Sequence, residues 1–111
     1  MADWRDALDH AVDELEPRLR EIRRYLHAHP EPSGGEFQTT LFLARQLSDE
    51  GLRPDIVESE RGIIIDSDTS SNGARVAIRA DMDALRIQDE KSVEYRSIHD
   101  GVMHACGHDV H

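Results

Sequence analysis

Trp4, Leu8, Val12, Leu15, Leu19, Ile22 and Leu26 recur every three or four residues. That spacing lays one apolar stripe along an α-helix. It predicts a helix from Asp3 to about His29 with the stripe facing a core. Asp3 is placed to cap the start, with Asp6 three residues on. Pro17 interrupts the pattern and either kinks one helix or opens a second at its first turn. His27-Ala28-His29-Pro30-Glu31-Pro32-Ser33-Gly34-Gly35 reads as a helix stop followed by a loop. A second helix is expected from about Glu36 to Glu50, with Phe37, Leu41, Ala44 and Leu47 along one side and Gly51 as its carboxy-terminal cap. Three strand candidates follow: Asp55 to Val57, Gly62 to Ile65, and Arg75 to Ala80, where Val76 and Ile78 alternate with Ala77. Asp68 to Gly73 reads as the turn of a hairpin joining the last two. Residues 86–101 are polar and show no clear period. Two helices followed by three strands predict an α/β layered fold.

Composition narrows the function. The chain has 111 residues, at the low end for one domain. Hydrophobic residues make up 38% and charged residues 32%, which suits a globular chain. Aromatics are only 5%, so the core is expected to be mostly aliphatic. No apolar run approaches the roughly 20 residues of a membrane span. Met1-Ala2-Asp3-Trp4 lacks the basic-then-apolar pattern of a signal peptide. The expected location is cytoplasmic. Thirteen basic residues face 23 acidic ones, for a net charge of -10, and all the basic residues but Lys91 are Arg. No basic stripe is present, so neither nucleic acid nor an anionic membrane is an expected partner. An acidic chain attracts cations instead.

Cys106 is the only cysteine, so no intrachain disulfide can form. Four of the seven histidines, His99, His104, His108 and His111, fall within the last 13 residues around it. Thiolate and imidazole are the usual ligands of zinc and related ions. On a helix, residues i and i+2 lie about 200° apart and could not share an ion. In loop backbone, Cys106 and His108 can converge, and Gly107 frees the chain for such a loop. Asp109 is placed to hydrogen-bond a ligand imidazole. The spacing also admits a nucleophilic Cys106 or a packed, inert cluster. A free thiol is mostly protonated at neutral pH, and an acidic chain does not favour the thiolate, so the balance tilts towards a ligand. Asp81 and Asp83 follow the third strand candidate, where sites gather in open α/β sheets. They read as ligands, proton-transfer groups, or caps of a turn. His27 and His29 read as a ligand pair or as partners of the helix dipole.

Three segments together carry a family resemblance: RRYLHAHPEPSGGEFQTT (residues 23–40), RADMDALRI (79–87) and GVMHACGHDVH (101–111). In content, order and spacing the chain resembles the M20 metallopeptidases, in the amidohydrolase branch. That branch includes N-acyl-amino-acid amidohydrolases, hippurate hydrolases and auxin-conjugate hydrolases. The resemblance implies an α/β/α zinc-peptidase-like catalytic domain with a smaller lid or dimerisation domain inserted later. It implies two divalent ions per site, zinc or manganese, and hydrolysis of the amide of an N-acyl amino acid. The nucleophile is water activated by metal, with a glutamate as base. By this resemblance Cys106 and His108 match metal ligands. Asp83 matches the catalytic-site acid that supports them, and Asp81 is a lesser candidate of the same kind. His111 matches a position usually held by His.

Arg86 stands where the family usually has Pro, and Asp89 where it usually has Glu. The family's catalytic glutamate, its remaining ligands and its lid lie beyond position 111. The expectation is therefore that residues 1–111 form the amino-terminal portion of the catalytic domain, with the lid absent. By itself this piece is expected to be inactive and only marginally stable, and the parent enzyme is expected to be a homodimer acting on a small-molecule substrate. The alternative is a small acidic metal-binding module that uses the terminal Cys-x-His.

Overall fold

The computed structural model describes residues 3–67 and 73–111. Helix α1 spans Trp4–Ala28. The Asp3 carboxylate accepts from the backbone N–H of Arg5 at 3.1 Å, closing the amino-terminal end as expected. Pro17 sits inside α1 without splitting it. The end of α1 is tied by its own backbone and by the His29 ring, whose Nδ1 lies 2.8 Å from the Tyr25 carbonyl oxygen.

The apolar stripe of α1 is not a core face along most of its length. Trp4, Leu8, Val12, Leu15 and Leu19 are all exposed, and burial is reached only at Leu26 and His27. A helix of 25 residues is about 37 Å long. The remaining described residues gather at its carboxy-terminal end, so its first turns have nothing to bury against.

Helix α2 spans Phe37–Asp49. Its amino-terminal N–H groups are satisfied from outside the helix. The Glu31 carboxylate accepts from Gln38 N–H at 3.2 Å and also from Thr39 N–H. At the other end Gly51 takes a φ of 84°, the left-handed geometry that a helix stop favours. Tyr25 stacks on Phe42 with ring centroids 3.9 Å apart, and Arg18 reaches Gln46 and Glu50 at 3.0 and 3.1 Å. These contacts join α1 to α2.

Strands β1 (Asp55–Ile56) and β2 (Ile63–Ile64) form an antiparallel hairpin, with Asp55 opposite Ile64 and Ile56 opposite Ile63. The first two strand candidates therefore pair with each other. The third does not form. Residues 75–80 have no ladder among the described residues, and Val76 and Ile78 are 94% and 95% exposed. Alternation gives a strand two faces, but only a neighbouring strand satisfies its backbone. The expected turn at 68–73 lies outside the described residues except for Gly73.

Residues 81–85 and 103–111 close the fold. Ala84 N–H donates to the Glu31 carbonyl at 2.8 Å, beside a parallel bridge between Pro32 and Ala84. Leu85 and Met103 exchange two backbone bonds of 2.9 Å each. The expected aliphatic core is largely replaced by a polar one. Besides Leu26 and Ala84, the buried residues include His27, Thr39, Thr40, Asp89, Ser97, His104 and Asp109.

Candidate metal centre

The Leu85–Met103 bridge sets the 103–111 segment alongside residues 81–85. Gly107, at a φ of 89°, then turns the chain between Cys106 and His108 in a conformation that side-chain-bearing residues rarely adopt. Both side chains approach one backbone oxygen. Cys106 Sγ lies 3.9 Å and His108 Nδ1 3.2 Å from the carbonyl oxygen of Asp83.

The Asp83 carboxylate fixes the imidazole more firmly. Its Oδ1 lies 2.7 Å from His108 Nδ1. An ionised carboxylate only accepts, so Nδ1 donates to it and Nε2 is the ring nitrogen left for another partner. This is the carboxylate–imidazole arrangement that orients metal-ligating histidines. Nε2 faces Asp81, whose Oδ2 is 3.8 Å away. The other oxygen, Asp81 Oδ1, is occupied by Arg79 at 2.8 and 3.1 Å. One ligand atom each from Asp81, His108 and His111 lies within 4.8 Å of the others. The donors of this group are two imidazoles and a carboxylate. That chemistry fits a divalent ion of the zinc or manganese type.

Of the expected residues, Asp81, His108 and His111 form one group and Asp83 holds His108, while Cys106 reaches the Asp83 carbonyl oxygen and stands outside that group. Asp109 departs from expectation. Its carboxylate is buried and engages α1 instead of a candidate ligand imidazole. There Oδ2 receives His27 Nδ1–H at 2.7 Å and lies 3.0 Å from Arg23 Nε. His27 therefore belongs to neither of its two anticipated roles, whereas His29 caps the helix end as a dipole partner. On its other edge His27 Nε2 is 3.6 Å from Asp89 Oδ2.

Asp89 also organises the polar stretch that showed no period. It receives Lys91 Nζ at 2.8 Å, Lys91 N–H at 3.1 Å and Ser97 N–H at 2.9 Å. The Lys91 ammonium hydrogen bond, aided by these N–H groups and opposed by burial, holds the Asp89 carboxyl well below the usual carboxylate range. His104 is buried beside the centre with neither ring nitrogen hydrogen-bonded. Burial pushes its imidazole below the ordinary histidine value, against the opposing charge of Asp109. The role of Arg23, the charge cluster around Asp89 and the pairing of Asp109 with His27 carry no local signal in the sequence, since each joins residues far apart along the chain or lies in a turn with no period.

Residues 77–111 match peptidase family M20/M25/M40. The chain is 43% identical to an N-acetyl-L-cysteine deacetylase of Bacillus subtilis, over 87% of this chain and 23% of that protein. It is 40% identical to an N-acyl-L-amino acid amidohydrolase of Geobacillus stearothermophilus, over 96% of this chain and 29% of the other. Among solved structures it is similar to a dinuclear metal binding peptidase from the M20 family of Bacillus subtilis. There the TM-score is 0.81 at 41% identity, covering 87% of this chain and 27% of that one. The chain spans about a quarter of the length of the curated relatives it matches. Its two helices and short hairpin correspond to the amino-terminal part of that α/β fold. In the matched terminal segment, the identities along nearly the whole chain and the shared backbone, the chain is similar to the amino-terminal part of M20 peptidases.

Proposed function

We propose that these residues serve metal-dependent hydrolysis of the amide bond of N-acyl amino acids in the whole protein. They would form the amino-terminal portion of its catalytic domain. The observation that carries this reading is the convergence of Cys106 and His108 on Asp83, with His108 held at Nδ1 and open at Nε2. The substrate class is supported by the deacetylase and amidohydrolase named above.

In this reading Cys106 and His108 are the ligands, and Asp83 orients His108 and fixes its tautomer. Asp81 and His111 flank the open face of the imidazole, where they could complete a donor set or steer a polar substrate. When bound, divalent metal supplies Lewis-acid polarisation of the scissile carbonyl. Two ions, zinc or manganese, are the cofactors we assign, and the partner is a small-molecule N-acyl amino acid. Cytoplasmic location and a homodimeric parent belong to the same proposal. No helix among the described residues is long and apolar enough to cross a membrane.

The 111-residue chain by itself is read as inactive, because a two-ion centre needs more donors than this cluster offers. The test is metal content by mass spectrometry for wild type, Cys106→Ser and His108→Ala, together with assays on N-acetyl amino acids with added manganese. The reading expects metal in wild type, little in either variant, and no turnover. Equal metal in all three would remove the ligand assignment, and robust turnover would remove the inactivity. A second reading, a small acidic metal-binding module, is favoured by the mutual approach of Asp81, His108 and His111. Tight binding of a single ion would support it.

A further inference from the structure

Next to His108 in sequence, Asp109 enters a buried charge cluster. The Asp109 and Asp89 side chains are fully buried, and that of His27 is nearly so. Asp109 Oδ2 is held by His27 Nδ1–H at 2.7 Å and by Arg23 Nε at 3.0 Å, a contact that spans 82 residues of sequence for His27. Asp89 lies 3.6 Å from the opposite edge of the same ring. The His27 imidazole therefore has a carboxylate beside each edge and is hydrogen-bonded at Nδ1 to Asp109 alone.

Asp109 directly follows His108. The loop that carries Cys106 and His108 is fastened at its start by the Leu85–Met103 bridge. At its far end its backbone makes only turn bonds, Val110 N–H to Gly107 and His111 N–H to His108. The side chain of Asp109 supplies the missing anchor. We propose that His27 and Arg23 are positioning residues: through Asp109 they lock the Cys106–His108 loop onto α1 and so set its affinity for a divalent ion. This inference rests on the metal-centre reading of Cys106 and His108. A buried carboxylate needs compensating charge and donors, and here both come from the last turns of α1. The outcome is a ligand loop whose shape depends on a helix that contributes no ligand.

The test is a titration of the 111-residue chain with divalent cobalt. Thiolate-to-cobalt absorption reports Cys106, and the titration gives Kd. His27→Ala is expected to raise Kd by about 10- to 100-fold, the range for residues that orient ligands. His27→Asn places an amide N–H where Nδ1–H stood and is expected to recover most of that loss. Arg23→Gln, at the more exposed edge of the cluster, is expected to weaken binding less, and it keeps the test decisive should His27→Ala fail to fold. Thr40→Ala, at a buried residue whose hydroxyl donates to the Glu36 carbonyl just before α2, is expected to lower stability while leaving Kd and spectrum as in wild type. Folded His27→Ala or Arg23→Gln with wild-type Kd would overturn the inference. So would an equal loss of affinity in Thr40→Ala, which would make the effect one of general stability. Cys106→Ser separates the two levels. If it abolishes the absorption while the α1 variants bind normally, only the positioning role falls. If it changes nothing, the metal-centre reading falls with it.

Discussion

Asp83 holds His108 through its carboxylate and meets both candidate ligands through its carbonyl oxygen. Asp83→Ala removes the first contact and leaves the second. Divalent-ion affinity is expected to fall about tenfold or more, with the fold retained; isothermal titration beside circular dichroism checks this. Asp89 gives a pH signature. Its unfolded carboxyl titrates near about 3.9, and its folded value is lower because of Lys91 and the N–H groups around it. Its contribution to stability is thus present above about pH 4 and is lost as pH falls through the folded value. Asp89→Asn is expected to lower stability at neutral pH and flatten the acid limb of the stability profile. A variant with the wild-type acid dependence would contradict this. At this scale the sequence was legible where the chemistry is local. Cys106, Gly107 and His108 mark a turn by residue type, and Gly107 takes the positive φ expected there. The direction taken by Asp109 could not be read, because its partner His27 lies on α1.

Helices α1 and α2 were legible to within a residue or two, since periodicity and caps are local. What the sequence did not show is that α2 is capped by Glu31, from outside its own first turn. Glu31→Ala frees two helix N–H groups and is expected to cost about 1 kcal/mol, read from urea denaturation. The segment 75–80 was misread, because a strand is a property of two segments and alternation describes only one. Its side chains bury little, so Val76→Thr is expected to change stability by less than about 0.5 kcal/mol. Leu26→Ala, at one of the few buried apolar positions, is expected to cost about 2–5 kcal/mol. Comparable losses in the two variants would mean that residues 75–80 are packed in solution.

The whole molecule combines a net charge of -10 with an uncovered apolar face along the first four turns of α1. Charge keeps copies apart, while the apolar face favours their meeting. Self-association is expected to rise with salt, and Leu8→Glu with Leu15→Glu is expected to suppress it; sedimentation velocity at two ionic strengths reads both. The overall class was legible because the order of elements dictates it. The polar character of the interior was not, since it arises from contacts between distant segments.

The His27–Asp109 contact also fixes an order of assembly. Joining residues 82 positions apart carries a closure entropy that neither helix faces. Helical turns form within about a microsecond, so α1 and α2 can exist long before the terminal loop docks. Amide hydrogens at 104–111 should exchange with deuterium well ahead of those at the end of α1. Brief undocking would then free the terminal loop while both helices stay intact, so any ion held as proposed above would leave before the fold opens.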